Sequence, residues 1–296
     1  MVFRSALFFL VAGLTVIGAA GQDEDAPLTI DSNLVVLNVS VRDSRGLHVS
    51  GLKQKSFSLL EDGIDQPISF FAAEETPFAA VILLDSSGSM GTNISLARSA
   101  AIRFLDGIRA EDNVAIYRFD NRVNLVQDFS NSRDVSERIF DVKAEGMTVL
   151  YDAIYKAADE LGKRPEKRRA IIVLSDGADT QSGRSAARAL KAASAVNAVI
   201  YTVDMSQNGP GSTGRQQARA VLKDFAEKTG GTFVEKPGGA DLRTAFEAIV
   251  KELGVQYTLG YEPLNDKKDG KWRSIELRIA RPNLTIRTRD GYYAVK

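Results

Sequence analysis

The stretch AVILLDSSGSMG (residues 80–91) runs an apolar segment directly into a carboxylate and three hydroxyls. Such a loop can be a turn with a helix cap, a phosphate-binding loop or a metal site built from oxygen ligands. Asp85, Ser87 and Ser89 alternate along the chain, so their side chains can converge on one point if the loop curls after a strand. The rest of the sequence must decide between these three chemistries.

Two further segments add oxygen atoms to this set. EGMTVLYDAI (145–154) places a threonine just before a predicted helix, and RRAIIVLSD (168–176) ends a second apolar run on an aspartate. In an open parallel sheet, ligands bind at the carboxyl ends of the strands, where both apolar runs would end. Hydroxyl and carboxylate oxygens form a hard donor set that suits Mg²⁺ or Mn²⁺. The sequence therefore predicts a metal site made of Asp85, Ser87, Ser89, Thr148 and Asp176.

An alternation of strands and helices must position these loops. The run FAAVILLD (78–85) is apolar almost throughout, which is typical of a strand covered on both faces. Helical spacing of apolar residues predicts helices near 96–107, 133–142, 150–162, 184–196, 215–229 and 240–253. Strand-like runs lie between them, so we predict an α/β domain over residues 78–254. Its sheet would be doubly wound and mostly parallel, with helices on both faces.

The segments on either side, residues 28–75 and 255–296, are rich in predicted strands. Short alternating runs such as LVVLNVSVRD (34–43) and the turn signal Asp62-Gly63 support this prediction. We expect the two segments to pair in space as one small β-sandwich-like module, with the α/β domain inserted into it. Its core would contain Tyr257, Tyr261, Trp272, Tyr292 and Tyr293. The alternative role for these aromatics is a ligand platform.

Residues 1–21 have the pattern of a secretory signal peptide. Arg4 precedes the apolar run ALFFLVAGLTVIGAA, which ends in small residues and is followed by acidic ones. The run is short for a membrane span, so a retained N-terminal anchor is the less favoured alternative, and we expect no span in the mature chain. The chain has no Cys, which excludes disulfides and thiolate metal sites. These features predict a bacterial protein that is secreted or lies in the periplasm or cell envelope.

Charge and motifs argue against several functional classes. Lys and Arg together number 38, as do Asp and Glu, so no net positive charge favours nucleic acid as a partner. His48 is the single histidine, which leaves a histidine-based triad without other candidates. A Mg²⁺-dependent phosphohydrolase with Asp85 as nucleophile would need a second acid two residues later, where Ser87 stands. We therefore expect a protein that is not an enzyme and does not bind nucleic acid.

The chain contains, in this order, the segments DSSGSMG, GMTVLYDAI and LSDGADT. This series resembles the von Willebrand factor type A domain and its metal-ion-dependent adhesion site. EKTGGTF (227–233) is similar to the stretch before that family's late strand, and the resemblance covers about residues 78–253. It implies that the two serines and the threonine coordinate the metal, while the two aspartates act mostly through bound water. It also implies that one coordination position is left for an Asp or Glu carboxylate of a protein partner.

The flanking segments resemble a bacterial subgroup of these proteins, found among acidobacteria and relatives. The residues that carry this resemblance are VSVRDSRGLHVSGLKQKSFSLLEDGIDQPISFF before the domain, and YTLGYEP and RTRDGYY after it. This resemblance supports an architecture more than an activity. Together, the sequence predicts an exported adhesion or protein-binding module. The alternative is a structural scaffold with a vestigial metal site, which would bind through its β module.

Overall fold

The computed structural model describes residues 34–73, 76–206, 213–235 and 238–294. The predicted signal peptide lies outside these ranges. The described residues belong to one compact unit. Within the described part of the chain, no helix is both long and apolar enough to cross a membrane.

Strands open and close this part of the chain, and helices alternate with strands in its middle. In chain order the strands are β1 (Val35–Asp43), β2 (Phe57–Glu61), β3 (Ile64–Gln66), β4 (Phe70–Ala72), β5 (Phe78–Asp85), β6 (Asn113–Phe119), β7 (Val123–Ser130), β8 (Arg168–Ser175), β9 (Ala198–Asp204), β10 (Phe233–Val234), β11 (Tyr257–Tyr261), β12 (Trp272–Ile279), β13 (Leu284–Arg287) and β14 (Gly291–Tyr293). The helices are α1 (Ile94–Asp106), α2 (Leu150–Gly162), α3 (Ala186–Ala195), α4 (Thr213–Thr229) and α5 (Gly239–Val255).

The central sheet has the strand order β10-β9-β8-β5-β6-β7. All its neighbouring strands run parallel except β7, which is antiparallel to β6 at one edge. All eight residues of β5 are buried because layers of helices cover both faces. Ile82 and its neighbours on one face pack with α1 and α5, while Leu83 and its neighbours on the other pack with α2, α3 and α4. The predicted α/β class with a mostly parallel sheet is therefore confirmed.

The prediction of a helix over residues 133–142 is wrong. The chain there forms a single 3-10 turn, Glu137–Ile139. Before that turn, the hydroxyls of Ser130 and Ser132 each accept a backbone N–H from two residues later at 3.0 Å. Ser136 caps the turn itself in the same way. Such local side-chain bonds offer the backbone donors an alternative to helical bonds, so apolar spacing alone does not produce a helix.

Two four-stranded antiparallel sheets are formed by strands from the two ends of the described chain. Their orders are β13-β1-β11-β4 and β14-β12-β2-β3. Val35 of β1 is paired with Tyr261 of β11, and Leu59 of β2 with Leu277 of β12. Apolar side chains from both sheets pack in one shared core. The division of the chain into domains at residues 28–75, 78–254 and 255–296 stays a prediction.

The predicted aromatic core of these sheets is only partly correct. Tyr257 and Tyr261 are buried, but 38% of Trp272 and 40% of Tyr293 are exposed. Side chains alternate between the two faces of a strand. Arg273 of β12 points inward and is 4% exposed, so Trp272 before it points outward. There it packs against Tyr293 with ring centroids 5.1 Å apart, as an exposed pair outside the core.

A buried carboxylate joins α5 to the strands of these sheets. Glu252 is 1% exposed. It accepts hydrogen bonds from Arg42 of β1 at 2.6 Å, from Arg287 of β13 and from the Tyr201 hydroxyl at 2.9 Å. Burial raises the pKa of Glu252, but the two guanidinium groups outweigh it and hold this pKa below its usual value. The buried charge is thus compensated by ionic partners, as a buried charge must be.

Candidate metal site

Asp85 ends β5 with a carboxylate that is held on both oxygens. Oδ1 accepts the backbone N–H of Ser87 at 2.9 Å, and Oδ2 accepts the hydroxyl of Ser175 at 2.5 Å. Ser175 is the last residue of the neighbouring strand β8. Asp85 is fully buried, and this burial raises its pKa to about 6, with a further contribution from the charge of Asp176. The two carboxylates are therefore close enough to interact electrostatically.

Ser87 and Ser89 present their hydroxyls side by side. A 3-10 turn, Gly88–Met90, bends the chain directly after β5. This bend leaves the two Oγ atoms 3.1 Å apart. Ser87 is buried, whereas Ser89 is exposed. The pair therefore lies at the boundary between the buried Asp85 and the solvent.

Backbone hydrogen bonds join this loop to the loop before α2. The N–H of Glu145 donates to the carbonyl of Ser86 at 2.8 Å, and the N–H of Gly88 donates to the carbonyl of Gly146 at 3.1 Å. Gly146 has φ +81°, a conformation that favours glycine. A Cβ there would also lie only 2.9 Å from the side-chain oxygen of Asn121. Gly146 thus lets the Thr148 loop run beside the serine loop.

Thr148 is fixed through its backbone, and its side chain keeps its bonding capacity. Its N–H donates to the hydroxyl of Thr180 at 2.9 Å. Its carbonyl accepts the N–H groups of Thr180 and Gln181 at 3.0 and 3.1 Å. Thr148 is 3% exposed. None of the hydrogen bonds between described residues uses its Oγ1.

The N-terminus of α2 is capped by another loop. Val149, which precedes the helix, makes no side-chain cap. Instead Asp179 and Ser182 accept the N–H of Tyr151 at 3.2 and 3.1 Å, and Ser182 also accepts that of Asp152. No role was predicted from the sequence for Thr180 or Ser182. Their signal was the run of capping residue types in DTQS (179–182).

Asp176 follows Ser175 at the same edge of the sheet. Its Oδ1 accepts the N–H of Ala178 at 3.2 Å, and the residue is half-buried. Hydrogen bonds thus connect Asp85, Ser87 and Ser89 with one another and with the Thr148 loop. Asp176 is connected to them through Ser175 and through its electrostatic effect on Asp85.

The donor set fits a small divalent cation. Octahedral Mg²⁺ has ligands at about 2.0–2.1 Å, so adjacent ligand oxygens lie about 2.9 Å apart. The 3.1 Å between the hydroxyls of Ser87 and Ser89 is close to such an edge. Thr148 adds an unused hydroxyl, and two carboxylates supply compensating charge. Across the described ranges, no three His, Cys, Asp or Glu side chains cluster as metal ligands, so a site here depends on hydroxyls.

Comparison with known proteins supports this description of the fold. Residues 80–178 match the von Willebrand factor type A domain. A solved structure, von Willebrand factor type A from Catenulispora acidiphila, is 16% identical, with a TM-score of 0.50. The comparison covers 90% of this chain and 75% of that one. At this identity the likeness shows the fold, and the α/β region has the von Willebrand factor type A fold.

Curated relatives match the chain over short stretches. An uncharacterized protein of Synechocystis sp. is 31% identical over 106 residues, which are 34% of this chain and 25% of that protein. Inter-alpha-trypsin inhibitor heavy chain H3 of Bos taurus is 25% identical over 134 residues, 40% of this chain and 15% of that protein. The chain therefore spans a quarter or less of the length of these relatives.

Proposed function

We propose that the protein binds Mg²⁺ or Mn²⁺ through Asp85, Ser87, Ser89, Thr148 and Asp176, and that it binds a partner protein through this metal. The observation that carries the proposal is the adjacent pair of serine hydroxyls, 3.1 Å apart, on a loop that backbone hydrogen bonds join to the Thr148 loop. This geometry supports a site at the carboxyl edge of the sheet, where open α/β sheets bind ligands.

The residues divide into two groups by the way in which they would bind the metal. The three hydroxyls would coordinate the metal directly, while Asp85, already hydrogen-bonded on both oxygens, would act mainly through water. A metal with mostly neutral direct ligands attracts an additional anion strongly. Exposed Ser89 marks the side from which an outside group could approach. An Asp or Glu carboxylate of the partner would complete the coordination.

The biological role that follows is metal-dependent binding of a protein, without catalysis. The von Willebrand factor type A match over residues 80–178 supports a site of this kind. We include export in the proposal, to the periplasm, the cell envelope or the medium of a bacterium. This part rests on the signal-peptide pattern of residues 1–21.

Calorimetric titration of Mg²⁺, Mn²⁺ and Ca²⁺ into the protein tests the metal site. We expect Mg²⁺ or Mn²⁺ binding that weakens at least several-fold in Asp85→Ala and in Thr148→Ala. Thr244→Ala is the matched control, because Thr244 is an exposed threonine on α5 whose hydroxyl bonds to its own helix at 3.2 Å. Circular dichroism in chelator should show all variants folded. Wild-type affinity in both site variants would contradict the proposal.

Capture of partner proteins with and without chelator tests the second half of the proposal. We expect the captured protein to be released by chelator, to return with Mg²⁺ and to be missing with Asp85→Ala. The scaffold alternative predicts capture that is insensitive to chelator and to this variant. In that case the β sheets formed by the two ends of the chain would be the binding surface.

A further inference from the structure

The end of β9 repeats the local chemistry of the end of β5. Asp204 and Ser206 have the same spacing as Asp85 and Ser87, and each aspartate is the last residue of its strand. In both turns Oδ1 of the aspartate accepts the N–H of the serine at 2.9 Å. The sequence predicts a strand between the helices near 184–196 and 215–229, and no function was predicted for Asp204.

The two turns lie at the same edge of the sheet. Asp204 is the register partner of Ser175 in the neighbouring parallel strand. Register partners in adjacent strands direct their side chains to the same face. Ser175 in turn donates to Asp85. The three strand ends therefore present a row of carboxylate, hydroxyl and carboxylate on the face that α2, α3 and α4 cover.

The two aspartates differ in one oxygen. Oδ2 of Asp85 accepts the hydroxyl of Ser175, but Oδ2 of Asp204 has no hydrogen-bond partner. Asp204 is 1% exposed. Among the described residues, this is the one carboxylate oxygen that is buried without a partner. A buried anionic oxygen is costly unless a hydrogen-bond donor or a cation compensates it, so this oxygen has the capacity to bind one.

We propose that Asp204 and Ser206 bind a second hard divalent cation, Mg²⁺, Mn²⁺ or Ca²⁺. Asp204 supplies an anionic oxygen, and the half-buried Ser206 supplies a hydroxyl at the solvent side. Water fills the remaining positions, as is usual when the protein offers few ligands. The cation compensates the buried charge. This site is separate from the one at Asp85 and does not require that site to be occupied.

Counting bound Mn²⁺ by electron paramagnetic resonance on the full chain tests the proposal. We expect two ions for wild type, one for Asp204→Asn and one for Asp85→Ala. Asp224→Asn is the control, because Asp224 is exposed on α4 and paired with Lys228 at 2.8 Å. It should keep both ions. A wild-type count that Asp204→Asn leaves unchanged overturns the second site. Loss of an ion in Asp204→Asn but not in Asp85→Ala overturns the proposed function and leaves the second site standing.

Thermal unfolding separates a cation from a trapped water. In chelator, Asp204→Asn should be at least as stable as wild type, since it removes an uncompensated buried charge. Added Mn²⁺ should raise the wild-type midpoint more than that of the variant, because a ligand stabilises the state that binds it. Equal rises in both proteins would indicate water alone and overturn the proposal. If Asp204→Asn does not fold, Ser206→Ala replaces it. We expect Mn²⁺ to bind at least tenfold more weakly at one site of this variant. Unchanged affinity at both sites would overturn the proposal.

Discussion

The two ends of the central sheet use buried polar groups in opposite ways. At the amino end, Arg168 is the first residue of β8 and is fully buried. It donates to the carbonyls of Leu253, Gly254 and Gln256 and to the hydroxyl of Thr258. At the carboxyl end, Asp204 is buried and its Oδ2 makes no hydrogen bond within the described chain.

Buried polar groups that stabilise the fold therefore differ from those that can bind a ligand. A buried group whose bonding capacity is filled by the protein contributes stability, and removing it leaves its partners unsatisfied. A buried group with unused capacity costs stability until a ligand arrives. Burial alone therefore does not distinguish structural from functional residues. The bonds made by Arg168 and the unused oxygen of Asp204 give a further criterion, which can be tested at both ends of the sheet.

The largest effect is expected at the amino end. Arg168→Met should lower the free energy of unfolding by about 3 kcal/mol or more, because several buried carbonyls lose their donor. Urea unfolding measures this. Arg188→Met on the exposed surface of α3 is the control and should stay within about 0.5 kcal/mol of wild type. A loss below about 1 kcal/mol for Arg168→Met would show that its hydrogen bonds contribute little to the stability of the fold.

A pH-dependent effect of similar size is expected at the carboxyl end. Burial raises the pKa of Asp85 from 3.8 to about 6, so the folded protein holds this proton more tightly than the unfolded chain. In chelator, the stability that Asp85 contributes is therefore fully present below pH 3.8 and is lost as pH rises through about 6. The change amounts to at most about 3 kcal/mol.

Unfolding of wild type and Asp85→Asn between these pH values measures this effect. The stability of wild type relative to the variant should fall as pH rises. Mg²⁺ affinity should rise over the same interval, because the metal and the proton compete for the site. A stability difference that does not change with pH would show that Asp85 keeps its ordinary pKa when folded.

The smallest effect is expected at Thr180, whose hydroxyl accepts the backbone N–H of the proposed metal ligand Thr148. Thr180→Val removes the acceptor of the Thr148 N–H, and should cost about 1–2 kcal/mol and weaken Mg²⁺ binding several-fold. Thr180→Ser keeps the hydroxyl and should restore the affinity. Calorimetry with Mg²⁺ provides the readout. Equal affinities for the valine and serine variants would show that Thr148 needs no such support.

The fold was largely predictable because its signals are local. The apolar run of β5 and the helical spacing of α2 each report burial directly, and the structure bears both out. The helix predicted over 133–142 was wrong because serine hydroxyls compete for its backbone donors. Trp272 was wrongly predicted to lie in the core. Side chains alternate between the faces of a strand, so a shift of one residue moves a side chain to the opposite face.

The candidate site was predictable in its residue types but not in its support. The sequence singles out Asp85, Ser87, Ser89, Thr148 and Asp176, and their joint role as metal ligands stays a prediction. The hydrogen bond between Thr148 and Thr180 joins residues 32 positions apart, which no local pattern reveals. The sequence shows that residue 204 is an aspartate. Whether its Oδ2 has a hydrogen-bond partner depends on the three-dimensional packing around it, which the sequence does not show.

The pairing of early with late strands has a consequence for synthesis. The carboxylate of Glu61 on β2 accepts the hydroxyl of Tyr261 on β11, and these residues are 200 positions apart. At about 5–20 residues per second, roughly 10–40 s pass before a ribosome supplies the partner of an early strand. During that interval β1 lacks its partner β11 and β2 lacks its partner β12, and unpaired strand edges invite aggregation. We therefore expect a nascent chain of this protein to benefit from a chaperone, or from a transport route that keeps it unfolded, until its final strands emerge.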